Sequence, residues 1–327
     1  MKFLHTFIGR EISDNVKNTL QEQPARSGMY NWIFALQGSI EGFWHAKEHL
    51  EDFDVIQVNM SPKDMPIIPE LNRLLKNSST QLVLNNDYVC EYWGNFKIDP
   101  LQYEQMQRMG DMVFTTEPHQ ASNMIDGTFT MPHPSNTDAL KHLGTNQQSN
   151  SLGYIFHWWA GKTQLPYMTM ERAKKKFGFE KTTMFGYNKP YDEQSEWGNV
   201  LFDDIAPLMS FPQFAQYIQG QRLLYDPNPY HTYGRNGVEL ACWKKPIVGS
   251  NRVFSYNKLF PELTIDPYDR NDTFKKMELA LGDVDDIMNR AYKDVEYFNY
   301  KNSVKRFKEA LEISTARGGS DWYMKNG

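Results

Sequence analysis

Short apolar runs alternate with amphipathic helical patterns along the chain, and this alternation constrains the fold more than any other feature. Strands that are separated by helices pair in parallel and form sheets with helices on both faces. We therefore predict an α/β fold. The elements predicted for the first half are strand 2–8, helix 40–50, strand 54–60, helix 66–75, strand 81–87, helix 100–109 and strand 111–116.

The alternation breaks between Met131 and Asn150, where two prolines precede a polar tract, and it restarts at Leu152. Such a tract is typical of a linker, so we expect two Rossmann-like domains, 1–140 and 150–298. A helical pattern at 299–327 follows them. The elements predicted for the second half are strand 152–158, helix 165–177, strand 181–186, helix 211–224, helix 237–243, strand 246–250 and a C-terminal helical region from 274.

Composition bounds the class of protein. The chain has 327 residues, 40% of them hydrophobic and 23% charged, with a formal net charge of −5. This balance indicates a folded protein and argues against a globally basic nucleic-acid binder. Two cysteines, Cys90 and Cys242, cannot form a disulfide framework, and no run is apolar enough to span a bilayer or to act as a signal peptide. We expect a cytoplasmic protein with no integral membrane segment.

Ligands of open α/β sheets bind beyond the carboxyl ends of the strands. In the first half this rule selects Gly9, Asp87 and Glu117. In the second half it selects the stretch 157–162, which contains Lys162, and the stretch 233–239. Lys162 could neutralise a bound anionic group, although a solvated surface lysine is the alternative.

The most informative stretch is Tyr233 to Ser250. Glycines lead into a short helix that carries Glu239, and a Lys-Lys-Pro sequence with a buried strand follows. A glycine-rich helix N-terminus presents backbone N–H groups and a partial positive charge, which suits a diphosphate. A carboxylate one or two turns further can accept hydrogen bonds from ribose hydroxyls. The alternative is an ordinary helix and strand with a surface glutamate.

This stretch resembles the nucleotide-sugar signature of the GT-B glycosyltransferases, especially the retaining family that contains sucrose and glycogen synthases. In that family a glycine-preceded helix carries a ribose-binding glutamate, followed by a Lys-Pro-Ile/Val-Val-x-Ser sequence; the matching glutamate is Glu239. Thr232 stands where the family has a second glutamate near the donor sugar. The resemblance implies C-terminal helices that cross back to the first domain. The donor-binding residues that we predict are Gly9, Lys162, Gly234, Arg235, Asn236, Gly237 and Glu239.

Asp87 is the predicted catalytic residue because it ends the strand 81–87. From an interdomain cleft its carboxylate could deprotonate an acceptor hydroxyl if the reaction inverts, or orient the acceptor if it retains. The alternative is that Asp87 caps the following turn. Glu117, His5, His45 and His119 are the other candidate bases.

The sequence lacks the usual motifs of zinc sites and of phosphate-binding P-loops, and its charged runs have a simple structural interpretation. No Cys/His cluster has the spacing of a zinc site, and no phosphate-binding P-loop occurs. Asp283 and Asp285 fall within a helical pattern, where we expect a solvated face. The basic runs at 172–176 and 301–308 are also interpreted as solvated faces, with an anionic acceptor as the alternative. We predict no metal and no cofactor.

These observations and the resemblance favour a metal-independent glycosyltransferase. We expect it to transfer a hexose-like sugar from a UDP- or GDP-linked donor to an acceptor hydroxyl. The acceptor, whether a glycan, a lipid or a modified nucleic acid, is open. Two alternatives remain open: a non-catalytic two-domain protein that binds a small ligand, and a nucleotide-sugar epimerase of the same architecture.

Overall fold

The computed structural model describes residues 1–9, 30–87, 99–143, 148–155, 165–185, 202–206 and 209–326. The chain divides into two compact units. Unit 1 comprises Met1–Asn136, His231–Tyr233 and Tyr297–Gly327, and unit 2 comprises Thr137–Tyr230 and Gly234–Glu296.

A parallel sheet forms the centre of unit 1. Its strands lie in the order β2-β1-β3-β4-β5-β6 within the described residues. The chain leaves β1 for β2 on one side and then continues through β3 on the other, so the direction of winding reverses between β1 and β3. The strands are β1 Phe3–Phe7, β2 Ser39–Gly42, β3 Val55–Asn59, β4 Gln81–Asn86, β5 Met112–Thr115 and β6 Phe129–Thr130.

Both faces of this sheet are buried, which is why its strands appear as near-continuous apolar runs. Leu4, Ile56 and Leu82 pack on one face, and Phe3, Val55 and Val83 pack on the other. The helices of the first half are α1 Asn31–Ala35, α2 Phe43–Ala46, α3 Ile68–Leu75, α4 Pro100–Gln107 and α5 Pro118–Ser122.

The C-terminal helices belong to unit 1, as the predicted fold class requires. Helix α13 begins at Tyr300 and ends at Arg317, and it carries the buried Phe307. The Phe307 ring lies 6.0 Å from that of Phe3 and 5.3 Å from that of Trp32, centroid to centroid. The first sheet is therefore covered by residues that follow the whole of unit 2 in sequence.

The remaining helices continue in chain order. They are α6 Thr137–His142, α7 Leu165–Phe177, α8 Phe211–Gln219, α9 Arg235–Cys242, α10 Phe254–Leu259, α11 Arg270–Leu281, α12 Asp285–Asp294, α13 Tyr300–Arg317 and α14 Ser320–Asn326.

A second parallel sheet forms the centre of unit 2, with the strand order β12-β11-β10-β7-β8-β9 in the described residues. Its winding reverses between β7 and β10, since β8 and β9 lie on one side of β7 and the later strands on the other. The strands are β7 Ser151–Ile155, β8 Lys181–Phe185, β9 Asp204–Ala206, β10 Leu223–Asp226, β11 Ile247–Ser250 and β12 Thr264–Ile265.

Two parallel Rossmann-like sheets with flanking helices confirm the predicted fold class. Two predicted helices were wrong in part. The predicted helix 211–224 ends at Gln219, and Leu223–Asp226 is instead a central strand of the second sheet. The predicted helix 40–50 contains the edge strand β2 and only four helical residues, Phe43–Ala46.

The predicted linker begins with buried chain. Met131 and His133 are 2% and 3% exposed, and the Ser135 N–H donates to the carbonyl of Phe298 at 2.8 Å. Two prolines suggested an exposed segment, but here they fix an extended path along unit 1. None of the helices in the described part of the chain combines the length and apolar character that a bilayer span requires.

Replacing Phe307 by alanine tests how much α13 contributes to unit 1. Phe307 is fully buried, so Phe307→Ala should lower the free energy of unfolding by about 3–5 kcal/mol through lost burial and the cavity it leaves. Met324 on α14 is 67% exposed, and Met324→Ala should stay within about 0.5 kcal/mol of the unmodified chain. Chemical denaturation measures both; equal small effects would show that α13 contributes little to stability.

A second prediction concerns His5, which lies buried in the central strand β1. Burial lowers its pKa from 6.5 to about 4, so the folded protein holds this ring neutral. The unfolded chain takes up the proton first as the pH falls. The stabilisation is therefore present above pH 6.5 and is lost between about pH 6.5 and 4, by roughly 3 kcal/mol.

Urea denaturation across that pH range should show a shallower acid loss for His5→Gln than for the unmodified chain. The control is His142→Gln, which changes an exposed histidine and should keep the original slope. Identical slopes for all three proteins would contradict the assignment.

Candidate active site

The carboxyl end of the first sheet carries Gly9 directly after β1, next to the point where the winding reverses. The Ile8 N–H donates to Asp64 Oδ1 at 3.0 Å, and Ser61 Oγ donates to Asp64 Oδ2 at 2.7 Å. Asp64 thus ties the end of β1 to the loop that follows β3. Gly9 lies partly buried at this fixed position.

The face of the first sheet that carries Phe3, Val55 and Val83 changes from apolar to polar toward the carboxyl end of the strands. Two residues beyond the core positions Phe3, Val55 and Val83, the strands carry polar side chains that are almost fully buried. Gln57 Nε2 lies 3.4 Å from His5 Nδ1, and Asn85 Nδ2 donates to Asn59 Oδ1 at 2.9 Å. The polar side chains of this layer are His5, Gln57, Asn59 and Asn85.

Two acceptors of this polar layer have no hydrogen-bond partner among the described residues: Gln57 Oε1 and Asn85 Oδ1. Burying an unpaired acceptor costs about 1–3 kcal/mol, so a partner for these atoms is expected, whether a bound water, a ligand or another part of the chain. The carboxyl end of the first sheet is therefore a buried polar layer in which two acceptors have no partner among the described residues.

Asp87, the predicted catalytic residue, follows β4 at this end of the sheet and pairs with His133. His133 Nε2 lies 2.7 Å from Asp87 Oδ1. The Asp87 side chain is 31% exposed, whereas that of His133 is only 4% exposed. In this dyad the carboxylate is the more exposed group, and the imidazole contacts it from the interior.

His133 is held on several sides within unit 1. Prolines precede and follow it, the Tyr233 hydroxyl donates to its carbonyl at 3.1 Å, and the Tyr233 ring meets the imidazole edge-on at 5.4 Å. A ring fixed in this way can orient the Asp87 carboxylate without a large entropic loss. Sequence reasoning missed His133 because its Pro-His-Pro context suggested a linker.

The other candidate bases of the first half have structural partners. The Glu117 carboxylate caps α5 by accepting the N–H groups of His119, at 2.9 Å, and Gln120. Burial raises the pKa of Glu117 despite these hydrogen bonds. The exposed His119 stacks on His231, with ring centroids 3.7 Å apart. Glu117 is thus a helix cap, and Asp87 is the more accessible carboxylate.

In unit 2, the predicted glycine turn lies between β10 and α9, beside the reversal point of the second sheet. Gly234 has a φ of +73°, a conformation that L side chains rarely adopt, and a Cβ there would lie 2.0 Å from Val253 Cγ1. A Cβ on Gly237 would lie 2.2 Å from Ser255 Oγ. Close packing of α9 on α10 accounts for both glycines, and it fixes the direction of the α9 N-terminus.

Two predicted donor residues, Arg235 and Glu239, meet each other on α9. Arg235 Nε lies 2.8 Å from Glu239 Oε1, one helical turn along. The Glu239 side chain is 2% exposed and that of Arg235 is 17% exposed. A carboxylate buried this deeply needs a paired cation. The ion pair fixes both side chains near the start of the helix.

A buried hydrogen-bond network lies beneath this helix end. The Tyr256 hydroxyl donates to Asp226 Oδ2 at 2.5 Å, and burial together with the Asp226 charge raises the pKa of Tyr256. The predicted donor residue Asn236 also hydrogen-bonds Tyr256. Sequence reasoning missed Asp226 because the predicted helix 211–224 overlapped the start of β10, so no strand was predicted there. The signal was an apolar run after Gly220 that ends in Asp-Pro-Asn-Pro.

Three remaining expectations concern charged side chains. Lys162 lies outside the described residues. The basic run on α7 is paired, since Lys174 contacts Asp203 at 2.6 Å and Lys175 contacts Glu171 at 2.8 Å. On α13, Arg306 lies over the Tyr297 ring at 4.0 Å. The ion pairs on α7 favour the solvated-face interpretation of the run 172–176, whereas the partly buried Arg306 belongs to the packing of α13 and does not decide between the two interpretations of the run 301–308.

Comparison with known proteins places the fold. No protein-family model matches the sequence, and neither does any curated protein sequence. Solved structures do match. An alpha-glucosyltransferase, AGT, in complex with UDP matches with a TM-score of 0.60 at 13% identity, over 96% of this chain and 99% of AGT. Anabaena HepE in complex with UDP matches with a TM-score of 0.66 at 11% identity, over 96% of this chain and 100% of HepE.

TarM matches with a TM-score of 0.60 at 14% identity, over 79% of this chain and 54% of TarM, so the chain spans about half the length of that protein. At these identities the likeness establishes the fold. The chain therefore has the GT-B fold, with two Rossmann-like sheets and C-terminal helices that return to the first.

Proposed function

We propose that this protein transfers a sugar from a nucleotide-sugar donor to an acceptor hydroxyl. The observation that carries the proposal is the Gly234 turn and its helix, which hold the Arg235–Glu239 ion pair beside the reversal point of the second sheet. Open α/β sheets bind nucleotides at such points, and the N-terminus of a helix favours a diphosphate.

UDP is the proposed nucleotide. S. aureus TarM, AGT and Anabaena HepE were each solved with UDP. In the proposed complex the α9 N-terminus and Arg235 bind the diphosphate, and Glu239 accepts hydrogen bonds from the ribose hydroxyls. Gly234 and Gly237 let α9 pack closely on α10 and so direct its N-terminus toward the donor, while Asn236 lies in the first turn of that helix. Gly9 stays a predicted donor contact, and Lys162 adds a second cation for the leaving group.

Asp87 is the proposed base. Its exposed carboxylate accepts the proton of the acceptor hydroxyl while that oxygen attacks the anomeric carbon and the bond to the nucleotide diphosphate breaks. His133 orients the carboxylate through the 2.7 Å contact. The released diphosphate takes the negative charge, which Arg235 and the helix N-terminus stabilise. No metal ion enters this scheme.

Incubation with a panel of UDP- and GDP-sugars separates the candidate functions, because a transferase without its acceptor slowly hydrolyses its donor. Release of free UDP and sugar supports the transferase. An epimerase would return an intact nucleotide-sugar of altered stereochemistry, and a binding protein would leave the donor unchanged. Either of the last two outcomes would overturn the proposal.

Glu239→Gln should weaken UDP binding by roughly ten- to a hundredfold, because ribose hydroxyls lose a charged acceptor. Isothermal titration calorimetry with UDP measures the effect. The matched control is Glu262→Gln, which also breaks an ion pair in unit 2, with Arg290 at 2.6 Å. Unchanged UDP affinity in Glu239→Gln, or equal losses in both variants, would contradict the ribose assignment.

Asp87→Asn should lower the rate of donor hydrolysis by about a hundredfold or more while leaving the Kd for UDP nearly unchanged. The amide keeps the size of the side chain but cannot accept the proton. Asp126→Asn, at an exposed position of unit 1, should behave like the unmodified chain. If Asp87→Asn loses rate and UDP affinity equally, Asp87 is structural; full activity would remove it from the mechanism.

A further inference from the structure

Three potential metal ligands converge at the edge of the first sheet, outside the residues assigned to the transferase. His49 Nε2 lies 3.0 Å from Glu41 Oε2, and His45 Nε2 lies 3.8 Å from the same oxygen. One ligand atom from each residue falls within 4.8 Å of the other two. We refer to Glu41, His45 and His49 as the edge cluster.

The local fold explains the convergence. Glu41 is the third residue of the edge strand β2 and lies opposite Thr6 of β1. After Gly42 the chain turns into α2, whose Phe43 and Ala46 are buried in the core, as is Leu50 beyond it. Anchoring these apolar residues inward leaves His45 and His49, four residues apart, on the outer side with Glu41.

The separations suit one small cation. Zinc binds imidazole nitrogen and carboxylate oxygen at about 2.0–2.2 Å with tetrahedral geometry, which sets neighbouring ligand atoms about 3.4 Å apart. The observed 3.0 and 3.8 Å bracket that value. Rotation of the His45 side chain, which is 70% exposed, can supply the small adjustment that remains.

We propose that the edge cluster binds Zn²⁺ through Glu41 Oε2 and the two histidine Nε2 atoms. Two imidazoles and one carboxylate are a typical zinc ligand set, whereas Mg²⁺ and Ca²⁺ prefer oxygen ligands. Three protein ligands leave the fourth position for water, and the exposure of His45 opens that position to solvent. The sequence signal is Glu-x3-His-x3-His, which differs from the Cys/His spacings of structural zinc sites.

Bound zinc would join an edge strand to the segment that follows it. Among the described strands, β2 pairs with β1 alone, and α2 is a single turn of helix. Both elements therefore make few backbone hydrogen bonds that would hold them in place. A ligand that binds only the folded state raises stability by mass action. Zinc should therefore raise the Tm of the chain.

The test uses untagged full-length protein that has been dialysed against a chelator. Titration with ZnCl₂ in competition with a chromophoric chelator should reveal one site per chain, and differential scanning calorimetry should show a higher Tm with zinc. Cobalt in place of zinc should give the visible absorption of a tetrahedral site.

His45→Gln is the key variant because His45 is exposed and its loss should not affect folding. It should weaken zinc binding at least tenfold and abolish the Tm increase, as should His49→Gln. The exposed His142→Gln is the matched control and should bind zinc like the unmodified chain. Absence of zinc binding by the unmodified chain, or equal binding by His45→Gln, would overturn the proposal. Neither result depends on transferase activity.

Discussion

When both faces of a parallel sheet are covered, the sheet can present polar groups to a ligand at one place, the ends of its strands. In the first sheet the transition takes two residues: Phe3 gives way to His5, and Val83 to Asn85, on the same face. The core holds the strands in register, and the register determines which side chains meet at the carboxyl end. The candidate site depends on this constraint.

The side chains at the two carboxyl ends that we propose for catalysis and for donor binding are each paired with a neighbour. In the first sheet the buried His133 supports the accessible Asp87, an arrangement suited to proton transfer. In the second sheet the buried Glu239 supports the more accessible Arg235, an arrangement suited to an anion. These pairings are the basis on which we propose Asp87 as the base and Arg235 as a diphosphate contact.

The sequence predicted the features that local physics determines. Apolar runs such as 54–60 and 81–87 became strands within one residue or two, and the α7 pattern at 165–177 matched its helix. The predictions failed where residues distant in sequence determine the local structure. Leu223–Asp226 is a strand because β7 and β11 flank it. His133 is buried because Tyr233, a hundred residues away, packs on it. Glu239 could be predicted because a contiguous motif carries it, whereas the Asp87–His133 pair joins distant segments. The donor roles, the linker bounds and the cytoplasmic location stay predictions.

The most direct test of these two roles is the double variant Asp87→Asn/Glu239→Gln. Its Kd for a UDP-sugar that the unmodified chain hydrolyses, and its single-turnover rate of hydrolysis, are compared with those of the two single variants. If one residue serves chemistry and the other donor binding, the free-energy effects add: the double variant has the Kd of Glu239→Gln and the rate of Asp87→Asn. If instead each single variant changes both the Kd and the rate, and the double variant loses less free energy than the sum of the two single losses, the two residues act on the same step, which would contradict the account.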